Sequence, residues 1–270
     1  MIQFPNAKIN LGLNILRKRA DGFHDLETIF YPIALFDTLE FIESNDLKFE
    51  MSGIAIPGNM DDNIILKAYH LLKNDFPQLP NVNIHLLKNI PTGAGLGGGS
   101  ADASFMLMAL NKHFQLEISK QNIINYAAQL GSDCPFFIHN QPCKATSRGE
   151  VLEVIQLNLV DYQFVLVNPK IHVNTGWAFA QLTPHQPIKS VFDIIQQPIH
   201  TWKEELINDF EKPIFEAHPM MQNIKNNLYD LGAIYASMSG SGSTLFGIFN
   251  KDIDQENIKK SFEGLNVYFV

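Results

Sequence analysis

A run of glycines constrains the fold of this chain more than any other feature of its sequence. Residues 89–106, NIPTGAGLGGGSADASFM, place five glycines among the seven residues 93–99. Glycine loses more conformational entropy on ordering than any other residue, so a chain that fixes such a run gains something from it. Alternating apolar residues precede the run (Val82, Ile84, Leu86) and helical spacing follows it. The pattern predicts a strand, a glycine turn and a helix in that order.

This order is typical of phosphate binding. Backbone N–H groups approach an anion closely where no Cβ intervenes, and a helix N-terminus adds the positive end of its dipole. Gly93, Gly95 and Gly98 satisfy the GxGxxG dinucleotide pattern, but the match follows a hairpin and a helix instead of opening a βαβ unit. The Walker pattern lacks its lysine before Ser100, and no HRD or DFG motif follows. A flexible surface turn is the alternative, and the helix after the run argues against it.

The remaining sequence predicts an α+β protein with two domains. Apolar residues alternate over residues 7–15, which predicts a strand with one buried face and with Lys8 and Asn10 together on the other. The turn RADGFH (residues 19–24) carries the Asp-Gly hairpin signal. The carboxyl-terminal part has the β-α-β-β-α-β order of ferredoxin-like domains. We therefore expect a boundary near residue 157, with domains 1–157 and 158–270.

Composition narrows the class of partner. The chain has 20 basic and 28 acidic residues, which give it a formal charge of −8. Because nucleic-acid affinity comes from Lys and Arg that neutralise phosphates, this charge argues against a general nucleic-acid-binding protein. The 2 cysteines, Cys134 and Cys143, lack metal-ligand spacing, which favours reduced thiols in a cytoplasmic protein. No apolar run reaches the roughly 18 residues of a membrane span, and no secretion signal is predicted. We expect a small-molecule substrate, no nucleic acid, no membrane, and a monomer or weak homodimer.

Five separated segments resemble the GHMP family of small-molecule kinases. PTGAGLGGGSADA (residues 91–103) is similar to the family's central motif, P-x-x-x-G-L-G-x-G-S/G-A. PNAKINLGL and SMSGSGSTLFGIF lie where the family has its amino- and carboxyl-terminal motifs. RADGFH and LGSDCPFF resemble the members that use ATP and Mg²⁺ to phosphorylate a cytidine-diphosphate-linked methylerythritol on the non-mevalonate route to isoprenoids. The resemblance implies a two-domain GHMP kinase fold, with a ribosomal-protein-like amino-terminal β/α domain and a ferredoxin-like carboxyl-terminal domain.

The resemblance implies that Lys8 and Asp133 are the catalytic acid–base pair. A carboxylate beside the substrate hydroxyl accepts its proton, while a nearby lysine favours the ionised carboxylate and neutralises charge on the transferring group. Interpreted alone, Lys8 is a solvated strand residue and Asp133 is a turn residue. The resemblance also implies an ATP-binding motif made of Pro91, Thr92, Gly93, Ala94, Gly95, Leu96, Gly97, Gly98, Gly99, Ser100 and Ala101.

Ser100 has two interpretations that are compatible with each other. At the start of the predicted helix it acts as an N-cap, and its hydroxyl is also a candidate to touch Mg²⁺ or a phosphate. No other metal ligand is predicted. Asn63, in DDNII, is a weaker site residue, because an asparagine at a helix start is usually a cap.

Substrate contacts are expected from Asn10 and from the turn that carries Phe23 and His24. The Phe23 ring offers a face on which a pyrimidine stacks, and His24 offers hydrogen bonds to the base edge. The alternative interpretation packs Phe23 in the core and leaves His24 as a solvated turn residue.

The carboxyl-terminal part adds two further substrate segments. The loop SGSGS (residues 239–243) is a hairpin turn whose small residues also suit packing against the glycine run or the substrate phosphates. Its candidate residues are Gly240, Ser241 and Gly242. HVNTGWAFAQ (residues 172–181) is expected to add an aromatic wall from Trp177 or Phe179. Some family members have a basic residue where this chain has Ala180, so this side of the pocket departs from the family pattern.

Two other functions stay open on the sequence alone. The nearer is a GHMP kinase for another alcohol, such as mevalonate or homoserine. RADGFH argues against it, since an aromatic ring and a histidine suit a nucleobase better than a small acid. The second is a non-catalytic RNA-binding protein, since the amino-terminal fold resembles one found in ribosomal and translation proteins. The charge of −8 and the presence of Lys8 and Asp133 argue against that function.

Overall fold

The computed structural model describes the backbone of residues 1–270 and every side chain except that of Asp61. In chain order its strands are β1 (Ile2–Gln3), β2 (Asn6–Lys18), β3 (His24–Phe36), β4 (Thr38–Ser44), β5 (Lys48–Gly53), β6 (Asn81–Lys88), β7 (Cys143–Ser147), β8 (Val151–Val154), β9 (Tyr162–Asn168), β10 (Tyr235–Met238), β11 (Leu245–Asn250) and β12 (Asn266–Phe269). Its α-helices are α1 (Ile64–Asp75), α2 (Gly98–His113), α3 (Lys120–Leu130), α4 (Cys134–His139), α5 (Thr175–Ala180), α6 (Val191–Ile195), α7 (Trp202–Glu205), α8 (Glu211–Ala217), α9 (Pro219–Asp230) and α10 (Gln255–Ser261).

The chain forms two compact units, of which the first comprises Met1–Lys8, Pro32–Thr92 and Gly97–Gln141. Its sheet has the order β1-β4-β6-β5, with β4 and β6 antiparallel and β5 and β6 parallel. The alternation that predicts β6 is confirmed, because Val82, Ile84 and Leu86 all lie in the core. Helices α1 to α4 contribute most of the other buried side chains of this apolar core.

The second unit comprises Ile9–Tyr31, Gly93–Leu96 and Pro142–Val270. One of its sheets has the order β10-β11-β9-β12, and every neighbouring pair is antiparallel. Numbered 1 to 4 in chain order and followed from the β12 edge, these strands have the order 4-1-3-2 of a ferredoxin-like sheet. The predicted β-α-β-β-α-β arrangement is therefore confirmed. The other sheet has the order β2-β3-β7-β8.

Two expectations about the amino-terminal part differ from the structure. The strand β2 is buried on both faces from Asn6 to Ile15, whereas its alternation predicted a single buried face. Lys8 and Asn10 are each only 3% exposed, so the interpretation of Lys8 as a solvated strand residue is wrong. A two-residue period reports which side chains share a face, but only tertiary contacts decide whether the polar face is covered.

The predicted boundary near residue 157 divides the chain into two continuous parts, whereas each compact unit is built from three separate segments of the chain. Ile9–Tyr31 groups with the second unit, where β2 and β3 share a sheet with β7 and β8. The division into a catalytic domain 1–157 and a substrate-side domain 158–270 therefore stays a prediction. In the described part of the chain, no helix has both the length and the apolar character that a membrane span requires.

Candidate active site

Lys8 and Asp133, the predicted acid–base pair, meet within the first unit. The Lys8 Nζ lies 3.4 Å from Asp133 Oδ2. Lys8 is placed by β2, while Asp133 immediately precedes α4, whose first turn contains Pro135. The lysine side chain is 4% exposed and the aspartate side chain is 34% exposed. The pair therefore presents a carboxylate to solvent and keeps its cationic partner behind it.

Gly97 joins the glycine motif to this pair. Its φ of +69° lies in the left-handed region, where a glycine is favoured. A Cβ at this position would lie 2.9 Å from Phe137 Cζ and 3.1 Å from Lys8 Cγ. Gly97 is therefore required for the packing of the Lys8 stem, independently of any ligand.

The N-terminus of α2 has no side-chain cap. Gly97 is its N-cap residue and α2 begins at Gly98, so the expectation that Ser100 is the N-cap is wrong. Gly97 has a left-handed conformation three residues before Ser100, so Ser100 already lies inside the helix. The Ser100 side chain instead hydrogen-bonds the Cys134 thiol, whose pKa burial raises to about 11. Asn63, by contrast, is a cap as its alternative interpretation predicts, accepting the Ile65 N–H at 2.9 Å.

This uncapped helix start fits an anion. The first N–H groups of a helix have no intrahelical partner, and here no side chain competes for them as a cap. A Cβ added at Gly99 would meet only Ile64 Cγ2, at the ordinary contact distance of 3.9 Å. The start of α2 at Gly98, Gly99 and Ser100 therefore offers backbone N–H groups to an anion, and Gly99 leaves space beside them.

A buried charge cluster that the sequence analysis missed lies against this helix start. Lys88 Nζ donates to Asp37 Oδ2 and, at 2.9 Å, to Asp102 Oδ2. Burial raises the pKa of the Asp102 carboxyl to about 8, and the nearby Lys88 charge only partly opposes that shift. A Cβ on Gly98 would lie 2.8 Å from Lys88 Nζ. One signal pointed to this cluster: Lys88 continues the inward phase of Val82, Ile84 and Leu86 on β6.

The central motif is divided between the units. Pro91 and Thr92 belong to the first unit, Gly93–Leu96 belong to the second, and the chain from Gly97 onward returns to the first. In the second unit, a Cβ on Gly95 would collide with the Ser239 carbonyl oxygen, and a Cβ on Gly93 would lie 3.4 Å from His172 Nδ1. Different glycines of this motif therefore allow close contacts with different neighbouring residues.

The SGSGS loop packs against the glycine run in the second unit, as one of its two interpretations predicts. The Ser239 hydroxyl donates to Gly95 O at 2.7 Å, and the Thr244 N–H donates to Ala94 O at 3.2 Å. Ser239 Oγ also accepts the Asn10 N–H at 3.3 Å.

The three candidate residues of this loop have different surroundings. A Cβ on Gly240 would lie 3.4 Å from Asn10 Oδ1, and a Cβ on Gly242 would lie 2.7 Å from Met238 Sδ. Ser241 Oγ lies 3.1 Å from Thr175 Oγ1 on α5. The buried Asn10 also donates from Nδ2 to Thr28 Oγ1 at 3.0 Å. Asn10, Gly95 and the loop are therefore brought together.

The predicted aromatic residues occur as two separate arrangements in the second unit. His24 stacks on Phe179 with ring centroids 5.0 Å apart, and Phe179 meets Phe210 edge-on at 4.9 Å. Burial, together with the charge of Lys18, lowers the pKa of His24. Phe179, rather than Trp177, is thus the aromatic residue of its segment that contacts His24.

Phe23 is 53% exposed, so the alternative of a core residue is wrong. The Arg148 guanidinium lies 4.9 Å from the centre of its ring. The turn around Phe23 is held by Arg19, which donates to Asp25 Oδ1 at 2.9 Å and to Ser147 Oγ at 3.0 Å. No local sequence signal points to Arg148, because its proximity to Phe23 depends on the pairing of β3 with β7.

Comparison with known proteins shows the family of this chain. Residues 63–141 match the family described as GHMP kinases N terminal domain, and residues 193–264 match GHMP kinases C terminal. A relative from Bacteroides fragilis, named 4-diphosphocytidyl-2-C-methyl-D-erythritol kinase, is 51% identical over 267 residues, covering 97% of this chain and 96% of the relative. A Bacteroides thetaiotaomicron protein of the same name is 52% identical over 256 residues, covering 93% of each chain.

Solved structures agree with the fold. A crystal structure of 4-(cytidine 5'-diphospho)-2C-methyl-D-erythritol kinase has a TM-score of 0.84 at 28% identity, covering 100% of this chain and 98% of that one. The mevalonate kinase of Methanococcus jannaschii, with a TM-score of 0.73 at 13% identity and coverage of 100% and 97%, shares the fold alone. The expected two-domain GHMP fold is confirmed. The chain therefore belongs to the GHMP kinase family, in the group whose members are named 4-diphosphocytidyl-2-C-methyl-D-erythritol kinase.

Proposed function

We propose that this chain transfers the γ-phosphoryl group of ATP to the 2-hydroxyl of 4-diphosphocytidyl-2-C-methyl-D-erythritol, a step of non-mevalonate isoprenoid precursor biosynthesis. The observation that carries the proposal is the Lys8–Asp133 pair, with its exposed carboxylate and buried ammonium. The names of relatives that are about half identical over nearly the whole chain supply the substrate.

In the proposed reaction, Asp133 accepts the proton of the 2-hydroxyl as its oxygen attacks the γ-phosphorus. The bond between the γ-phosphorus and the oxygen that bridges it to the β-phosphorus breaks, and ADP leaves with that oxygen. Lys8 places a positive charge beside the negative charge that develops on the transferring group. The protein supplies alignment and charge, since phosphoryl transfer requires little covalent chemistry from it.

ATP is assigned to the glycine motif, with its phosphates on the first turn of α2. The fit rests on the uncapped helix N-terminus and on Gly99, where an added Cβ would meet no atom closer than 3.9 Å. Mg²⁺ bound with ATP neutralises phosphate charge, and Ser100 is the residue proposed to touch it or a phosphate. Mg²⁺ on a nucleotide commonly uses only one or two protein oxygens together with phosphates and water.

The cytidine end of the substrate is assigned to Phe23, His24 and Phe179. The exposed Phe23 ring offers a stacking surface, and His24 is held by its stack on Phe179. Asn10 and the loop residues Gly240, Ser241 and Gly242 are assigned to the rest of the substrate. A cytoplasmic location, the absence of nucleic-acid binding, and a monomer or weak homodimer stay predictions.

The reaction is tested by identifying its product. Purified protein, Mg·ATP and the cytidine substrate should give one new phosphomonoester signal in ³¹P NMR. NMR of the product should also show coupling between this phosphorus and the carbon at position 2 of the methylerythritol. A product phosphorylated elsewhere would refute the assigned hydroxyl. The RNA-binding alternative is tested by filter binding at low salt. Tight RNA binding without ATP turnover would overturn the proposal in favour of that alternative.

A further inference from the structure

The cluster of Asp37, Lys88 and Asp102 has no part in the chemistry proposed above. Its members are 0%, 0% and 1% exposed. Replacing a buried ion cluster by apolar side chains is often neutral or stabilising, so a role in stability alone explains the cluster poorly. One oxygen, Asp102 Oδ1, is moreover buried without a hydrogen-bond partner. Buried polar atoms that serve only stability are normally satisfied.

The cluster connects the end of β6 with the start of α2. Lys88 is the last residue of β6, and its ammonium donates to both carboxylates. Asp37 Oδ1 accepts the N–H groups of Asn89 at 2.6 Å and Ile90 at 2.8 Å. Asp102 lies on α2, one turn beyond Gly98. One ammonium thus ties the residues before the glycine motif to the helix after it.

The ammonium also lies directly against the first residue of α2. A Cβ on Gly98 would come within 2.8 Å of both Lys88 Nζ and Ile90 Cγ2. The Lys88 ammonium therefore lies where a side chain at the first position of α2 would have to go.

We infer that Lys88, held between Asp37 and Asp102, is a positioning residue for ATP. The cluster fixes the first turn of α2, whose N–H groups bind the phosphates. This inference rests on the proposed function, since it requires ATP to bind there. A loosened helix start would move these N–H groups away from the phosphates and lose charge-assisted hydrogen bonds, so it should be visible in ATP binding.

The test compares three variants by isothermal titration of Mg·ATP well below their melting temperatures. Asp102→Ala removes the link to α2 and should weaken ATP binding at least five-fold. Asp102→Asn should restore the affinity to within two-fold of wild type, because its amide oxygen still accepts from Lys88. Leu107→Ala, a fully buried residue on α2 outside the cluster, should lower the melting temperature without weakening ATP binding.

The KM for the cytidine substrate should stay unchanged in Asp102→Ala, because the change is confined to the nucleotide side. If Asp102→Ala does not fold, Asp102→Ser takes its place, since its short hydroxyl leaves the link to Lys88 broken. Equal ATP affinity in the Asp102 variant, Leu107→Ala and wild type would overturn the inference. A wild-type protein that binds no ATP would instead refute the proposed function, so the two failures are distinguishable.

Discussion

The Lys8 ammonium lies 3.4 Å from the Asp133 carboxylate, and only the carboxylate has substantial exposure. Both side chains belong to the first unit, together with Gly97, against which the Lys8 stem packs. An exposed carboxylate with a buried cation behind it is suited to accept a proton from a hydroxyl that arrives from solvent.

Asp133→Asn removes the proposed proton acceptor and keeps the shape of the side chain. We expect kcat to fall by roughly 10²- to 10⁴-fold, the usual contribution of a positioned general base. The melting temperature and the ATP affinity should stay near their wild-type values. A kcat within a few-fold of wild type would mean that Asp133 is only a turn residue.

Lys8→Met tests the partner, since methionine fills most of the space of the buried stem. We expect a similar loss of kcat, and the double variant should be less than additively worse because the two residues act as a unit. Single-turnover measurements of phosphoryl transfer give the three rates. Fully additive losses would show that Lys8 and Asp133 act independently.

Gly99→Ala separates phosphate binding from packing. Its Cβ would make only an ordinary contact with Ile64, so the helix should be unchanged or stabilised by up to about 1 kcal/mol. If ATP phosphates approach this backbone, the added methyl group should weaken nucleotide binding. Gly97→Ala is the contrasting variant, because its Cβ would meet Phe137 and Lys8 and should lower both stability and kcat. Wild-type ATP affinity in Gly99→Ala would count against the assigned phosphate position.

The base-binding assignment predicts a selective effect on the cytidine substrate. Phe23→Ala and His24→Ala should each raise its KM about ten-fold or more, since a base–aromatic stack contributes about 1–3 kcal/mol. The ATP affinity should be nearly unchanged, because the base is remote from the transferred group. Phe36→Ala removes another exposed ring, 43% exposed and with no assigned role, and serves as the control. A variant that only lowers thermal stability would exclude its residue from the base site.

The raised pKa of Asp102 predicts how the free energy of unfolding depends on pH. Its pKa is about 8 in the folded protein, against an ordinary carboxyl value near 4, so the folded state holds this proton more tightly. The stability that Asp102 contributes is complete below about pH 4 and is lost as the pH rises through about 8. Asp102→Asn cannot ionise, so its stability relative to wild type should increase between pH 5 and pH 8 and level off above. Urea unfolding at each pH measures this difference, and a constant difference would contradict the prediction.

Local patterns were sufficient to predict much of this fold. The alternation in β6, the glycine run and the helical spacing of α2 are properties of neighbouring residues, and each predicted its element correctly. The ferredoxin-like order followed from the succession of such elements. The predicted pair of Lys8 and Asp133 came from the family resemblance, and the structure brings these residues together.

Contacts between distant segments could not be predicted in the same way. The glycine run predicts room for phosphate, yet Gly95 and Gly97 leave room for Ser239, Phe137 and Lys8. These neighbours are far away along the chain, so no local pattern reports them. Arg148 was missed for the same reason.

The most direct test of the central claim is the substrate preference of the purified protein. A coupled assay of ADP release measures kcat/KM for the cytidine-linked methylerythritol, for mevalonate and for homoserine under identical Mg·ATP conditions, with Asp133→Asn as the inactive control. We predict that, of the three alcohols, only the cytidine substrate gives rapid ADP release, and that Asp133→Asn abolishes this release. Comparable turnover of mevalonate or homoserine, or wild-type turnover in Asp133→Asn, would contradict the account.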